Sequence, residues 1–151
     1  MPGKRGMIAN RSMPQSTVIP ELLYPDIAKA VDWLCDAFGF TERLRIGDHR
    51  AQLNVSDGSI VVAAGPGGKG PSRANHSVMV RVADVDRHFE RAKRRGAKIL
   101  RIPADYPYGE RQYTVEDLGG HQWTFSQSIA DVDPESWGGA RPKRTKSSGR
   151  E

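Results

Sequence analysis

Two side chains of this 151-residue chain combine a reactive group with a position from which it could act: Glu21 and His76. Glu21 lies in a predicted strand between apolar residues, where desolvation raises the pKa of a carboxyl group and suits it to general-base chemistry. His76 precedes a later predicted strand, and imidazole binds divalent metals well. Each also has a purely structural interpretation: the carboxylate as the partner of Arg81 or Arg111, and the imidazole as an ordinary hydrogen-bonding group.

Other features suggest chemistry less specifically. Arg111 can hold an anionic ligand through a bidentate contact, or form an ion pair with Glu110. The single cysteine, Cys35, falls in a helical pattern that favours a reduced, buried thiol over a nucleophile. Residues 65–70 read GxGxxG, but Pro71 and a predicted strand follow where a dinucleotide site needs a helix, so we interpret this stretch as a linker. The remaining histidines are expected to be solvated: His49, His88 and His121.

The elements that must position these residues form a repeat. The same order of elements occurs twice: a strand, then a helix that begins at an Asp and ends at a Gly, then three further strands. The predicted strands are residues 17–24, 41–46, 49–55 and 59–64, then 77–82, 98–102, 110–116 and 122–127. The predicted helices begin after Asp26 and Asp84 and end at Gly39 and Gly96. Because one such unit cannot cover its own apolar sheet face, the repeat predicts two βαβββ modules that pack together.

The last predicted strand alternates polar and apolar residues. Trp123 and Phe125 face one side, whereas Gln122, Thr124 and Ser126 face the other. The apolar side is expected in the core. The polar side faces water or lines a cleft, and the pattern alone does not distinguish these two possibilities.

Charge and composition divide the chain into a domain and two tails. Residues 1–15 carry a net +3 and residues 141–151 a net +4, which leaves −2 of the total +5 for residues 16–140. We expect a flexible tail over 1–15, a domain over 16–130 with modules at 17–64 and 76–127 joined by a linker at 65–75, and an extension with a basic disordered tail over 131–151. We predict a cytoplasmic protein that binds neither membranes nor specific nucleic acids, since membrane spans, signal peptides and a basic–aromatic face are lacking.

Several stretches resemble the vicinal oxygen chelate superfamily of glyoxalases, bleomycin-resistance proteins and ring-cleaving dioxygenases. They are PELLYPD with AVDW and FGF in the first module, HSVMVRV with DVD in the second, and YGER with DLGGHQW in the closing hairpin. The closing part, extended by DPESWG, is most similar to the PhnB-like glyoxalase subgroup. The resemblance implies an α+β fold in which two βαβββ modules form a cupped mixed sheet around a small-molecule cavity.

The resemblance also implies a divalent metal in the cavity, held by His, Glu or Gln, which polarises substrate oxygens. The matching positions here are Ile19, Ser77 and Thr124, and residues 59–64 contain neither a carboxylate nor an imidazole. Isoleucine cannot bind a metal and neutral hydroxyls bind weakly. We therefore predict no cofactor, with His76 as the candidate ligand should a divalent metal bind.

The expected function is metal-independent binding of an amphipathic small molecule by a homodimer. The candidate binding residues mix polar and apolar groups: Glu21, Gln52, Ser77, Met79, Arg81, Arg111 and Thr124. Two alternatives stay open. One is a lyase, isomerase or dioxygenase with an atypical site around Glu21 and His76. The other is a partner-binding module that uses the tails and Trp137, which either folds back over the domain or covers a partner.

Overall fold

The computed structural model describes residues 8–65 and 76–140. In these ranges eight strands form two four-stranded sheets, and each module has one α-helix. The first module contains β1 (Glu21–Tyr24), α1 (Ile27–Phe38), β2 (Thr41–Ile46), β3 (Arg50–Val55) and β4 (Gly58–Ala64). The second contains β5 (Val78–Arg81), α2 (Val85–Arg94), β6 (Lys98–Tyr106), β7 (Glu110–Glu116) and β8 (Gln122–Ser128), followed by a 3-10 helix at Pro134–Trp137.

Both modules have the same topology, which confirms the predicted repeat and the α+β class. The strand orders are β1-β4-β3-β2 and β5-β8-β7-β6. In each sheet the first strand runs parallel to the last, and the other neighbours are antiparallel. Two strand boundaries differ from the prediction by more than one residue. β1 begins only at Glu21, after Pro20, which has no N–H for a ladder, and β6 continues to Tyr106.

Both helices begin after the predicted Asp residues. The Asp26 side chain accepts a hydrogen bond from the Lys29 N–H, and the Asp84 side chain accepts one from the Arg87 N–H, each at 3.1 Å. These caps satisfy backbone donors that a first helical turn leaves unpaired. Gly39 ends α1 at φ +81°, a left-handed conformation that glycine adopts without strain. In the described part of the chain, no helix is long and apolar enough to cross a membrane.

One hydrophobic core joins the two modules. Phe38, the last residue of α1, contacts Trp123 and Phe125 of β8, with ring centroids 5.5 and 5.0 Å apart. All three side chains are buried. The apolar side of β8 therefore lies in the core, as predicted, and its polar side lies on the opposite face of the sheet.

A buried carboxylate adds polar bonds between the modules. Oδ2 of Asp117, in the β7–β8 turn, accepts hydrogen bonds from the Tyr24 hydroxyl at 2.7 Å and the Trp123 indole N–H at 3.0 Å. Its Oδ1 accepts the backbone N–H groups of Gly119 and His121. Burial, together with the Asp117 carboxylate, raises the pKa of Tyr24 far above its ordinary value. Since Tyr24 belongs to β1, this carboxylate ties the first module to the closing hairpin of the second.

Two histidines that were expected to be solvated make hydrogen bonds between the modules, and His88 is largely buried whereas His121 stays partly exposed. His88 Nε2 lies 3.1 Å from the Phe38 carbonyl oxygen, and Nδ1 lies 2.6 Å from the Tyr113 hydroxyl. Because a carbonyl oxygen only accepts, Nε2 carries the proton and Nδ1 accepts from Tyr113. Burial lowers the pKa of His88 to about 4. His121 Nε2 lies 2.8 Å from the carbonyl oxygen of Leu23 in β1.

Candidate functional site

The face of the second sheet opposite the core is polar. Because side chains alternate along a strand, Thr124 and Ser126 of β8 lie on this face. In the ladder to β7, Thr124 is paired with Thr114 and Ser126 with Gln112, and β5 adds two more residues on the other side. This surface is defined as the second-sheet face, and its residues are Met79, Arg81, Glu110, Gln112, Thr114, Thr124, Ser126 and Ser128.

Hydrogen bonds hold the polar groups of the second-sheet face in place. Gln112 Nε2 donates to Ser126 Oγ at 3.0 Å, and Ser126 Oγ donates to Glu110 Oε1 at 2.5 Å. Ser128 Oγ donates to the other Glu110 oxygen at 2.5 Å and accepts a bond from Arg81 at 3.1 Å. The bonds from Ser126 and Ser128 lower the pKa of Glu110, so its side chain is ionised at neutral pH. The face therefore presents a fixed carboxylate and a guanidinium among uncharged donors and acceptors.

Three aromatic side chains border the second-sheet face at the β6–β7 hairpin. Tyr106 and Tyr108 stack with ring centroids 5.5 Å apart and planes inclined by 12°, and Trp137 contacts Tyr108 at 5.2 Å. Tyr106 is paired in register with Glu110, and the Tyr108 hydroxyl lies 3.5 Å from Gln112 Oε1. Trp137 is 43% exposed, so part of its ring is accessible to a ligand. Tyr106, Tyr108 and Trp137 are defined as the aromatic cluster.

The aromatic cluster depends on a close approach of two backbone segments at Gly109. The Gly109 carbonyl oxygen accepts a hydrogen bond from the Ile129 N–H at 2.8 Å, which holds the chain after β8 against the hairpin. A Cβ placed on Gly109 would lie 2.5 Å from the Ala130 carbonyl oxygen, and its φ of +86° disfavours other residues. The chain then leads to the 3-10 helix that carries Trp137. Residues 131–137 thus fold back over the domain.

Gly109→Ala is expected to lower the free energy of unfolding by roughly 2–3 kcal/mol and to separate Trp137 from Tyr108. The added methyl group collides with backbone, in addition to the cost of a left-handed conformation. Urea unfolding measures the first effect and tryptophan fluorescence the second. Gly96→Ala is the matched control, because Gly96 has φ +83° but no atom within 4 Å of a Cβ. Equal losses in the two variants would contradict the close approach.

The open face of the first sheet is covered in part by the chain itself. Residues 10–16 lie against it, and Pro14 is buried there. Gln52, a predicted binding residue, donates to the Ser12 carbonyl oxygen at 2.9 Å. The sequence predicted a flexible tail over residues 1–15. Residues 10–16 are ordered against the sheet instead, because side-chain donors of the sheet bond their carbonyl groups. Residues 1–7 of that tail, most of the linker and the basic tail lie outside the described residues.

Glu21, the candidate general base, also lies on the first sheet. Its carboxylate contacts Arg50 at 2.7 Å, and about half of each side chain remains accessible, at 47% and 44%. An accessible, ion-paired carboxylate is not in the desolvated environment that a general base of this kind requires. His76 and Ser77 precede β5 and are exposed.

Arg111 lies on the opposite side of the second sheet from the candidate site. It alternates with Glu110 and Gln112 along β7, and its guanidinium contacts Asp86 of α2 at 3.1 Å and Asp105 of β6 at 2.9 Å. Arg111 therefore forms ion pairs, but with these two acids and not with Glu110. Of the predicted binding residues, the second-sheet face brings together Met79, Arg81 and Thr124.

The sequence did not lead us to predict Glu110, Gln112 or the aromatic cluster as ligand-binding residues. The signal for the first two was present, because β7 alternates in the same way as β8. No local pattern pointed to the aromatic cluster, since Trp137 reaches Tyr108 only through the path of the chain after β8.

A cleft of about 610 Å³ lies between β5, at the edge of the second sheet, and the first module. Met79 and Arg81 of β5 line one side, and Val18 and Ser59 line the other. Small-molecule sites typically occupy about 300–1,000 Å³, so the cleft is large enough for a ligand.

The side chains at the metal positions implied by the resemblance do not fit a divalent ion. Ile19 has no donor atom, Ser77 is exposed, and Thr124 Oγ1 lies 3.3 Å from Thr114 Oγ1. Over residues 8–65 and 76–140, no group of three or more His, Cys, Asp or Glu side chains is arranged to hold a metal. Neutral hydroxyls are weak ligands for such ions. The donor set therefore gives no basis for assigning chemistry to a metal.

Fold and site together define a cupped-sheet protein built from two βαβββ modules. A sequence profile described as the Glyoxalase/Bleomycin resistance protein/Dioxygenase superfamily matches residues 17–125. The chain belongs to this family.

Relatives with solved structures have the same fold. TioX from a Micromonospora species is 39% identical, with a TM-score of 0.63, and the match covers 78% of this chain and 100% of TioX. The fosfomycin resistance protein FosX from Listeria monocytogenes is 16% identical, with a TM-score of 0.62 over 80% of this chain and 94% of FosX, which shows the fold alone. An uncharacterized protein of Mycobacterium bovis is 27% identical over 76% of this chain and 84% of its own length.

Proposed function

We propose that this protein binds a small amphipathic molecule with an aromatic ring on the second-sheet face, and that binding needs no metal ion. The observation that carries the proposal is the polar floor of Gln112 and Thr124 beside the aromatic cluster, with the buried Ser126 as the hydrogen-bond partner of Gln112. Floor and cluster meet where Tyr108 approaches Gln112.

The two parts of the site complement two parts of such a ligand. An aromatic ring stacks on the exposed ring of Trp137, because aromatic pairs gain about 0.5–1.5 kcal/mol beyond the area they bury. Hydroxyl or amide groups of the ligand bond the Gln112 amide and the fixed Glu110 carboxylate. Apolar area at Met79, which is 62% exposed and lines the cleft, adds contact.

The enzymatic alternative has less support in this geometry. Glu21 and His76 were its proposed centre, but Glu21 is ion-paired with Arg50 and His76 is exposed. The partner-binding alternative relied on the tails and Trp137. Residues 1–7 and 141–151 lie outside the described residues, and the Trp137 ring packs on Tyr108. Three expectations stay predictions: the PhnB-like subgroup, the homodimer and the cytoplasmic location. The homodimer is supported by the exposed apolar side chains of Leu23 and Leu44 on the first sheet.

The test is a ligand screen by saturation-transfer NMR with fused-ring aromatic amides and alcohols, repeated with EDTA. We expect at least one compound to bind with an affinity that EDTA does not change. Trp137→Ala and Gln112→Ala should each weaken binding at least tenfold, because each removes one part of the site. Leu118→Ala is the matched control, since Leu118 is an exposed apolar residue of the β7–β8 turn, at the other end of β7 from the aromatic cluster.

Two results would contradict the proposal. Loss of binding on chelation, with recovery on adding a divalent ion, would make the site metal-dependent. Equal affinity for the wild-type protein and both site variants would place the ligand elsewhere.

A further inference from the structure

The N-terminal segment forms a compact turn against the open face of the first sheet. Asn10 begins the turn: its carbonyl oxygen accepts from the Met13 N–H at 3.2 Å, and its side chain accepts from the Ser12 N–H at 3.0 Å. Asn is favoured at the first position of such turns because its side chain bonds the backbone two residues on. Residues 10–16 are defined as the turn segment.

The sheet recognises the backbone of the turn segment through two side chains. Arg43 Nη2 donates to the Arg11 carbonyl oxygen at 2.8 Å, and Gln52 Nε2 donates to the Ser12 carbonyl oxygen at 2.9 Å. Arg43 also donates to Gln52 Oε1, which fixes the direction of the amide. Both acceptors are main-chain groups of consecutive residues. Recognition of this kind depends on the shape of the turn and not on the side chains of Arg11 and Ser12.

Two further contacts fix the end of the turn segment. Pro14 is buried, and its lack of an N–H leaves no unpaired donor in that position. Ser16 Oγ donates to Ser59 Oγ of β4 at 3.0 Å. Gln52 and Ser59 are buried polar residues of this face, 5% and 8% exposed, and the turn segment supplies a partner to each.

We propose that the open face of the first sheet is a peptide-binding site, and that the turn segment is its tethered occupant. The peptide it takes has an Asn-initiated turn followed by proline, and it binds through two main-chain carbonyl groups. A tethered occupant competes at an effective concentration of the order of millimolar. A free peptide therefore binds only when the turn segment is released. This proposal is independent of ligand binding on the second-sheet face.

The test uses full-length protein and a fluorescein-labelled peptide with the sequence of residues 10–16. Pro14→Asp in the protein places a charge in the buried position and releases the turn segment. We expect this variant to bind the peptide at least tenfold more tightly than the wild-type protein does. Adding Arg43→Met should weaken that binding at least tenfold, because one of the two carbonyl contacts is lost. Anisotropy titrations measure all three affinities, and circular dichroism checks the fold.

A second measurement follows the segment within the intact chain. Trypsin cleavage after Arg11, followed by mass spectrometry, should be at least fivefold faster in Arg43→Met than in the wild-type protein. Cleavage after Lys29 in α1 should not change. The proposal is overturned if Pro14→Asp binds the peptide no more tightly than wild type, if Arg43→Met has no effect on binding, or if the cleavage rate after Arg11 is the same in both proteins.

Discussion

Asp117→Ala is expected to lower the free energy of unfolding by roughly 4 kcal/mol. The substitution leaves the Tyr24 hydroxyl, the Trp123 indole N–H and two backbone N–H groups without their acceptor, and each unsatisfied buried donor costs about 1–3 kcal/mol. Water that enters the space offsets part of this loss. Since domains are stable by about 5–15 kcal/mol, the variant should unfold at a much lower urea concentration.

Two companion variants make the Asp117 result specific. Asp117→Asn keeps one acceptor oxygen for the two backbone N–H groups, but its NH₂ group faces the donors of Tyr24 and Trp123, so we expect an intermediate loss. Asp48→Ala removes an exposed carboxylate from another turn and should change stability by less than about 0.5 kcal/mol. A loss at Asp117 no larger than at Asp48 would show that the carboxylate does not join the modules.

Acidification from pH 7.5 to pH 5 is expected to remove roughly 2 kcal/mol of stability through His88 alone. Its pKa is about 4 in the folded protein, because burial disfavours the charged imidazole, and about 6.5 in an unfolded chain. The unfolded state therefore binds the proton first. The stability that neutral His88 contributes to the folded protein is therefore fully present above about pH 6.5 and is lost as the pH falls toward 4.

The measurement compares urea unfolding of the wild-type protein and His88→Gln between pH 5 and pH 7.5. Glutamine does not titrate, so the stability difference between the two proteins should shift by roughly 2 kcal/mol over this range in favour of the variant at low pH. His49→Gln, in an exposed turn, should retain the wild-type profile. Parallel profiles for wild type and His88→Gln would contradict a buried neutral imidazole.

The architecture was predictable because its signals are local. Asp26, Asp84 and Gly39 mark helix ends by chemistry that acts within one turn of chain. The alternation in β8 assigns Trp123 and Phe125 to the core without knowledge of their neighbours. Two copies of the same element order then define the modules.

The site was less predictable because it depends on contacts between distant residues. Glu21 lies beside Arg50, 29 positions away, and Gln52 bonds Ser12, 40 positions away. The face of the sheet on which Arg111 lies could be predicted only by applying the alternation seen in β8 to β7 as well. His88 lies on a highly charged helix, so the sequence predicts a surface residue. In the structure it contacts Phe38 and Tyr113.

The shared core has a consequence for genetic dissection of this protein. Phe38 of the first module packs on Trp123 and Phe125 of the second, and the Asp117 and His88 bonds also cross between them. A gene split in the linker would thus yield two fragments that each expose half of an apolar interior. Such fragments suit complementation: they are expected to be insoluble when made singly and to reassemble when produced together in one cell.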